Sequence, residues 1–263
     1  MDVDQQTLKH RLEFARAIAL DAGRKTLEYF QANVGVDRKS DNTPVTIADR
    51  EAEKLMRGRI ESEFPNDAIV GEEYGEQSGT SGFRWILDPI DGTKSFITGV
   101  PLYGTLVGLD YNGQSVIGVI EIPALDQRVY GASGLGAFSQ KGTMTPTVAR
   151  VSDCANLSDA VYLTTEIRTF GDRNSLSAHT KIEEACWYSR TWGDCYGYYL
   201  IATGQADIMI DPAISIWDAA ALLPVIEEAG GKFTCWKGVR TIEGQDAIAT
   251  NGKLHDEVLR MLT

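Results

Sequence analysis

The chain has 263 residues, is 43% hydrophobic, and carries 37 acidic against 25 basic side chains, a formal net charge of −12. Such a length suits one large domain or two tightly joined ones, and the apolar share is ordinary for a protein with a sizeable core. The acid surplus argues against a nucleic-acid partner; no segment approaches the roughly 18 consecutive apolar residues of a membrane span; and the polar opening from Met1 to Lys9 is unlike a signal peptide, so a cytoplasmic location is expected.

Leu8, Leu12, Ala15, Ala19, Ala22 and Leu27 recur at helical spacing, which predicts an amphipathic helix over about the first thirty residues. The polar stretch Val36 to Val45, with Pro44, reads as a loop, and a second helix follows from Ala48 to Phe64, stopped by Pro65-Asn66. Ala68 to Val70 is a short strand ending at Gly71. Gly75 to Gly82 reads as a surface loop, and Phe83 to Leu87 as a buried strand broken by Asp88-Pro89. From Tyr103 to about Phe138 the pattern is a β-meander. Its clearest hairpin turns at Asn112-Gly113, a pair suited to a type I′ turn. Further on, strands are expected at Ala160 to Leu163, Ile208 to Ile210 and Ala247 to Thr250. Helices are expected at Ser175 to Ala185, Gly193 to Ala202, Asp218 to Ala229 and Leu254 to Leu262. Helices and strands mixed throughout imply a layered α/β fold. It divides near residue 145 into an N-terminal part (1–145) and a C-terminal part (146–263) within one compact unit.

Cys154, Cys186, Cys195 and Cys235 form no CxxC pair and read as free thiols, mostly buried. His10, His179 and His255 are equally scattered, which leaves little material for a histidine metal site or a Ser–His triad. Acid, by contrast, is concentrated where elements begin and end. Glu72 follows a strand in Gly71-Glu72-Glu73. Asp88 and Asp91 follow another in Asp88-Pro89-Ile90-Asp91-Gly92-Thr93. Asp218 opens a helix in Trp217-Asp218. Carboxylates at the ends of neighbouring strands can converge in one crevice.

Such a crevice suits hard cations. An anionic phosphate ester repels an attacking water until cations neutralise its oxygens, and two Mg²⁺ ions about 4 Å apart can clamp the attacking and leaving oxygens. The Ile90 carbonyl, between the two aspartates, can add an oxygen ligand. Gly92 permits close backbone approach, and the helix start at Thr93 would face a phosphate. The Thr93 hydroxyl could take a proton from water if Glu72 accepts one in turn. Singly, each motif has a duller reading: Gly-Glu-Glu as a solvated turn, Asp-Pro as turn punctuation, Trp217-Asp218 as a helix cap beside a core tryptophan. The conjunction carries the functional reading.

That conjunction resembles the inositol monophosphatase family, over essentially the whole chain to Gly230-Gly231. The resemblance implies a layered αβαβα sandwich, a phosphomonoesterase using two to three Mg²⁺ ions, sensitivity to Li⁺, and a homodimer. It implies Glu72, Asp88 and the Ile90 carbonyl around one ion, and Asp88, Asp91 and Asp218 around a second. Glu72 and Thr93 would activate water. Asp49 in Thr46-Ile47-Ala48-Asp49 would help hold a third ion, though alone it reads as a first-turn helix acid. Lys39 would sit in a loop at the site. Lys94-Ser95-Phe96 after the Gly-Thr pair, with the run Arg190 to Tyr198, Ala202 to Asp207, and Asp211-Pro212, resembles the histidinol-phosphate phosphatases of this superfamily. The expected reaction is therefore hydrolysis of L-histidinol phosphate, with inositol-1-phosphate as the rival substrate. A non-catalytic metal- or phosphate-binding protein is the alternative of another class. For a cationic amine and imidazole, Asp194, Asp211 and Glu166 are candidate contacts; Asp194 also reads as a helix cap and Asp211 as an Asp-Pro turn. Lys94 could bind phosphate with Gly92 and Thr93, or pair with a nearby acid.

Overall fold

The computed structural model describes residues 3–32, 35–38 and 44–262. Helix α1 (Gln5–Leu27) begins where the Asp4 carboxylate accepts the Thr7 amide at 2.9 Å, and it buries Leu8, Leu12, Ala15, Ile18, Ala19 and Ala22. The expected loop from Val36 to Val45 instead contains two antiparallel strands, β1 (Val36–Arg38) and β2 (Pro44–Thr46). Three-residue strands leave too little alternation to read. Lys39 lies outside the described residues. Helix α2 (Ile47–Glu63) is followed by β3 (Ala68–Gly71) and then by β4 (Gly75–Gln77), an exposed edge strand where a loop was expected. Its side chains are all exposed, so no apolar pattern betrays it.

Strand β5 (Phe83–Asp91) corrects a second expectation, because it runs through Asp88-Pro89 rather than ending at Leu87. Its pairing with β6 (Gly104–Tyr111), which follows the short helix α3 (Thr93–Ile97), shifts register between Asp88 and Asp91. The proline therefore sits at a bulge, a place in a sheet that tolerates its missing N–H. The meander continues as expected through β7 (Gln114–Ile122), β8 (Gln127–Ala132), β9 (Gly136–Lys141) and β10 (Thr147–Val148). Together these form an eight-stranded sheet in the order β10-β9-β8-β7-β6-β5-β3-β4.

The rest of the chain builds a smaller sheet. Strand β11 (Val161–Leu163) leads through α4 (Ile167–Asp172) and α5 (Leu176–Ala185) to β12 (Tyr188–Arg190). Then come α6 (Asp194–Ala202), β13 (Ile208–Asp211), α7 (Ile216–Glu228), β14 (Lys232–Thr234), β15 (Ala247–Thr250) and α8 (His255–Leu262). The strand order is β12-β11-β13-β15-β14. Cys195 and Cys235 are buried, whereas Cys154 and Cys186 are only partly so.

The five layers follow from which faces are apolar. Helices α1 and α2 cover one face of the large sheet around the fully buried Trp85. Helices α6 and α7 fill the space between the two sheets, and α5 and α8 pack outside the small one. This is the expected αβαβα sandwich. Its tightest seam is between α7 and the large sheet: a Cβ on Gly118 would fall 1.9 Å from the Ala221 carbonyl oxygen, and one on Gly108 2.7 Å from the Ala220 Cβ. Among the described residues no helix is long and apolar enough to cross a membrane. The ends of β3, β5 and β11 and the starts of α6 and α7 open onto a single cleft.

Candidate metal centre and active site

The cleft encloses about 660 Å³, within the range of small-molecule sites. Glu72, Asp88, Ile90, Asp91, Gly92, Thr93, Lys94, Glu166, Asp194 and Asp218 all line it. Six acids, from separate stretches of the chain, thus share one cavity. Oxygens of Asp88, Asp91 and Asp218 lie within 4.8 Å of one another.

Each of these three spends one oxygen on a backbone amide. Asp88 Oδ1 accepts the Ile90 N–H at 2.9 Å, a contact made inside the β5 bulge. Asp91 Oδ2 accepts the Cys195 N–H at 2.5 Å, from the first turn of α6. Asp218 Oδ2 accepts the Ser215 N–H at 2.9 Å, as the third residue of a capping box that starts α7. The capping role foreseen for Asp218 is therefore real, but the cap residue is Ser215. Backbone anchoring fixes each carboxylate while leaving oxygen to face the cleft.

Asp49 repeats the device. Its Oδ2 accepts from the Thr46 N–H at 2.8 Å and the Thr46 hydroxyl at 2.7 Å, again a capping box, at the start of α2. Its buried Oδ1 has no hydrogen-bond partner among the described residues, and burial pushes its carboxyl up to about 6. Asp49 does not line the main cleft; it lies close enough to Glu73 to feel that charge.

The electrostatics show what the acids lack. Burial raises Asp88 and Asp91 well above the usual carboxylate range; Glu72 and Asp218 push Asp88 further, and Asp218 pushes Asp91. Burial takes Asp218 up to about 7. Asp88 and Asp218 lie close enough for the Asp218 charge to oppose that of Asp88. Like charges held this close are stable only when protonated or bridged by cations. An all-oxygen donor set is what Mg²⁺ prefers, so residues and ion fit each other.

The substrate side of the cleft is mixed. Gly92 adopts φ 83° before α3, and a Cβ there would approach Asp194 Oδ2 to 2.9 Å, so the αL conformation and the crowding both favour glycine. The Thr93 hydroxyl donates to the Ile90 carbonyl at 3.1 Å in this state. Lys94 and Glu166 form an exposed ion pair of 2.7 Å across the mouth, and Lys94 holds Glu166 below the ordinary glutamate value. Asp194 is not the cap of α6; Gly193 is, and Asp194 takes the next position at φ 50°. Burial and the nearby Asp91 raise its carboxyl well above the usual range. Asp211 does not line the cleft. It is buried at the end of β13, with its oxygens on the Thr165 N–H at 3.1 Å and the Tyr198 hydroxyl at 2.9 Å.

Several contributors went unread in the sequence. Thr165 accepts the Asp194 N–H at 2.9 Å and closes on Gly193, where a Cβ would meet the Thr165 Cα at 2.2 Å. Val100 and Leu102 supply apolar wall, beside Trp192 and Trp217 from motifs already read in the sequence. Ser215 was detectable, since Ser-x-x-Asp ahead of the apolar run Ala219 to Ile226 is a capping-box signature.

The model of the Inositol monophosphatase family matches residues 7–262. A histidinol-phosphatase of Chlorobaculum parvum is 40% identical over 245 residues, spanning 92% of this chain and 93% of the relative. One of Mycobacterium tuberculosis is 39% identical over 252 residues, spanning 95% and 97%. A solved inositol monophosphatase from Zymomonas mobilis superposes with a TM-score of 0.83 at 31% identity, covering 97% of this chain and 98% of its own.

Proposed function

The chain belongs to the inositol monophosphatase family, and from that premise we propose that it hydrolyses L-histidinol phosphate to L-histidinol and phosphate with the help of two to three Mg²⁺ ions. The observation that carries the phosphatase reading is the convergence of Asp88, Asp91 and Asp218 within 4.8 Å, in a cleft that Glu72 also lines. The choice of substrate rests on the two histidinol-phosphatases at 39 and 40% identity.

Glu72, Asp88 and the Ile90 carbonyl would hold one Mg²⁺, Asp88, Asp91 and Asp218 a second, and Asp49, through its buried Oδ1, would help with a third. When bound, such ions neutralise phosphoryl oxygens and make water a better nucleophile. The protein's own part is placement and proton handling. Gly92 lets the phosphate approach the backbone, and the amides opening α3 face its oxygens. The Thr93 hydroxyl turns its proton from the Ile90 carbonyl to Glu72 as it takes one from the attacking water. Lys94 adds positive charge at the mouth. Asp194 and Glu166 offer carboxylates to the cationic amine and imidazole, while Trp192 shields the ring. Asp211 supports this arrangement from beneath through Thr165 rather than by contact. The same family likeness suggests Li⁺ inhibition and a homodimer.

Steady-state kinetics on histidinol phosphate and inositol-1-phosphate test the substrate, with EDTA as control. A far larger kcat/KM on histidinol phosphate, abolished by EDTA, is the expected result. A preference for inositol-1-phosphate would transfer the assignment to the substrate class of the Zymomonas mobilis enzyme. No phosphate release from either would leave a binding protein, a reading that the full set of acids disfavours.

A further inference from the structure

Glu72 stands on the turn that follows β3, and that turn is gripped from below through its next two backbone amides. The grip comes from α2. The Glu53 carboxylate, fully buried, accepts the Glu73 N–H at 2.7 Å and the Tyr74 N–H at 3.2 Å. Arg57, one helical turn on, donates its Nε to Glu53 Oε1 at 2.7 Å and a terminal nitrogen to the Gly75 carbonyl. Gly71 completes the fit: a Cβ there would lie 2.0 Å from Glu53 Oε1.

Two successive amides converging on one carboxylate form a small anion cradle, here filled by the protein's own side chain. A fully buried charge is costly unless every lone pair is used, and Glu53 is met by two amides and a guanidinium. An apolar side chain could fill that space, yet it could not hold the amides that follow Glu72. The backbone on the C-terminal side of Glu72 is thereby fixed by Glu53, and the backbone on its N-terminal side by the β3–β5 pairing, which continues as the Glu72 N–H donates to the Leu87 carbonyl at 3.3 Å. We propose that the Glu53–Arg57 pair, seated against Gly71, is a positioning device that sets Glu72 for binding a divalent cation.

This rests on Glu72 being a metal ligand, so the test carries that reading as a separate arm. Mn²⁺ binding to the full chain is measured without substrate by calorimetry, beside the Mg²⁺ concentration giving half-maximal activity. Glu53→Gln keeps the volume but offers one acceptor oxygen in place of two. It should weaken Mn²⁺ binding and raise the half-saturating Mg²⁺ by roughly 10- to 100-fold, the usual effect of losing an outer partner of a ligand. The kcat at saturating Mg²⁺ should recover to within a few-fold of the parent, which a general loosening of the fold would not allow. Arg57→Met, at the edge of the turn, should give a smaller loss in the same direction, and Arg57→Lys should restore part of it. If Glu53→Gln does not fold, the two Arg57 variants decide the matter. Unchanged Mn²⁺ affinity in Glu53→Gln or in Arg57→Met, with Glu72→Gln clearly weakened, overturns the positioning role alone. Unchanged affinity in Glu72→Gln overturns the ligand reading beneath it.

Discussion

Helix α7 carries two opposite environments within four residues. From Ala219 to Ile226 it is buried against both sheets, with Ala220 and Ala221 pressed on Gly108 and Gly118 so closely that no side chain fits between. At its first turn, Asp218 faces Asp88 and Asp91, and burial raises all three. One end of the helix is satisfied by contact with neighbours; the other is held rigid in a place where its charge is opposed. The dry seam supplies the stiffness that keeps the acids from moving apart. A cluster that repels itself stays assembled only when its supports are stronger than the repulsion.

Asp91→Asn should break the charged end. Phosphatase activity is expected to fall about a thousandfold, equivalent to about 4 kcal/mol, because a charged oxygen facing the reacting group is lost. The metal-free variant should melt slightly higher than the parent, since a repelling charge is removed while the Cys195 N–H can still find the amide oxygen. Activity and stability would then move in opposite directions, as turnover assays and calorimetry can show. Gly118→Ala should break the dry end, costing roughly 3 kcal/mol of stability in denaturant titrations, because its Cβ would overlap the Ala221 carbonyl.

The pH dependence sharpens the contrast. Carboxyls whose folded values are raised stabilise the fold below the ordinary carboxylate range, and this contribution is lost as pH rises through the folded values, about 7 for Asp218. Metal-free protein should therefore lose stability between pH 4 and pH 7. Mg²⁺ at ten times its Kd should return about 1.4 kcal/mol at pH 8, and much less at pH 5, where protons compete. Thermal melts with and without EDTA at the two pH values give the comparison. The smallest effect belongs to Lys94→Ala. Its pair with Glu166 is exposed, so stability should change by less than about 1 kcal/mol, while KM rises a few-fold.

What could be read in advance follows the same division. The acids were legible because Asp88-Pro89-Ile90-Asp91-Gly92-Thr93 is short and chemically unusual, and the large helices and the meander because their apolar periods are long. The bulge at Asp88 to Asp91 was not, because proline reads locally as a stop and only the partner strand reveals a register shift. Strands β1, β2 and β4 were too short to show an alternation, and β4 is exposed at every position. Glu53 escaped because a glutamate four residues before an arginine on a helix reads as a solvated pair; its burial depends on where the turn after β3 lands. Asp211 looked like a substrate contact for the complementary reason, since nothing local says that Tyr198 and Thr165 take both its oxygens.

The most direct test of the account is an anomalous difference map from crystals soaked in Mn²⁺. We expect strong peaks bounded by oxygens of Asp88, Asp91 and Asp218, with Glu72 and the Ile90 carbonyl against one of them. A map with no peak among those carboxylates, in crystals where they adopt the arrangement described above, would contradict it.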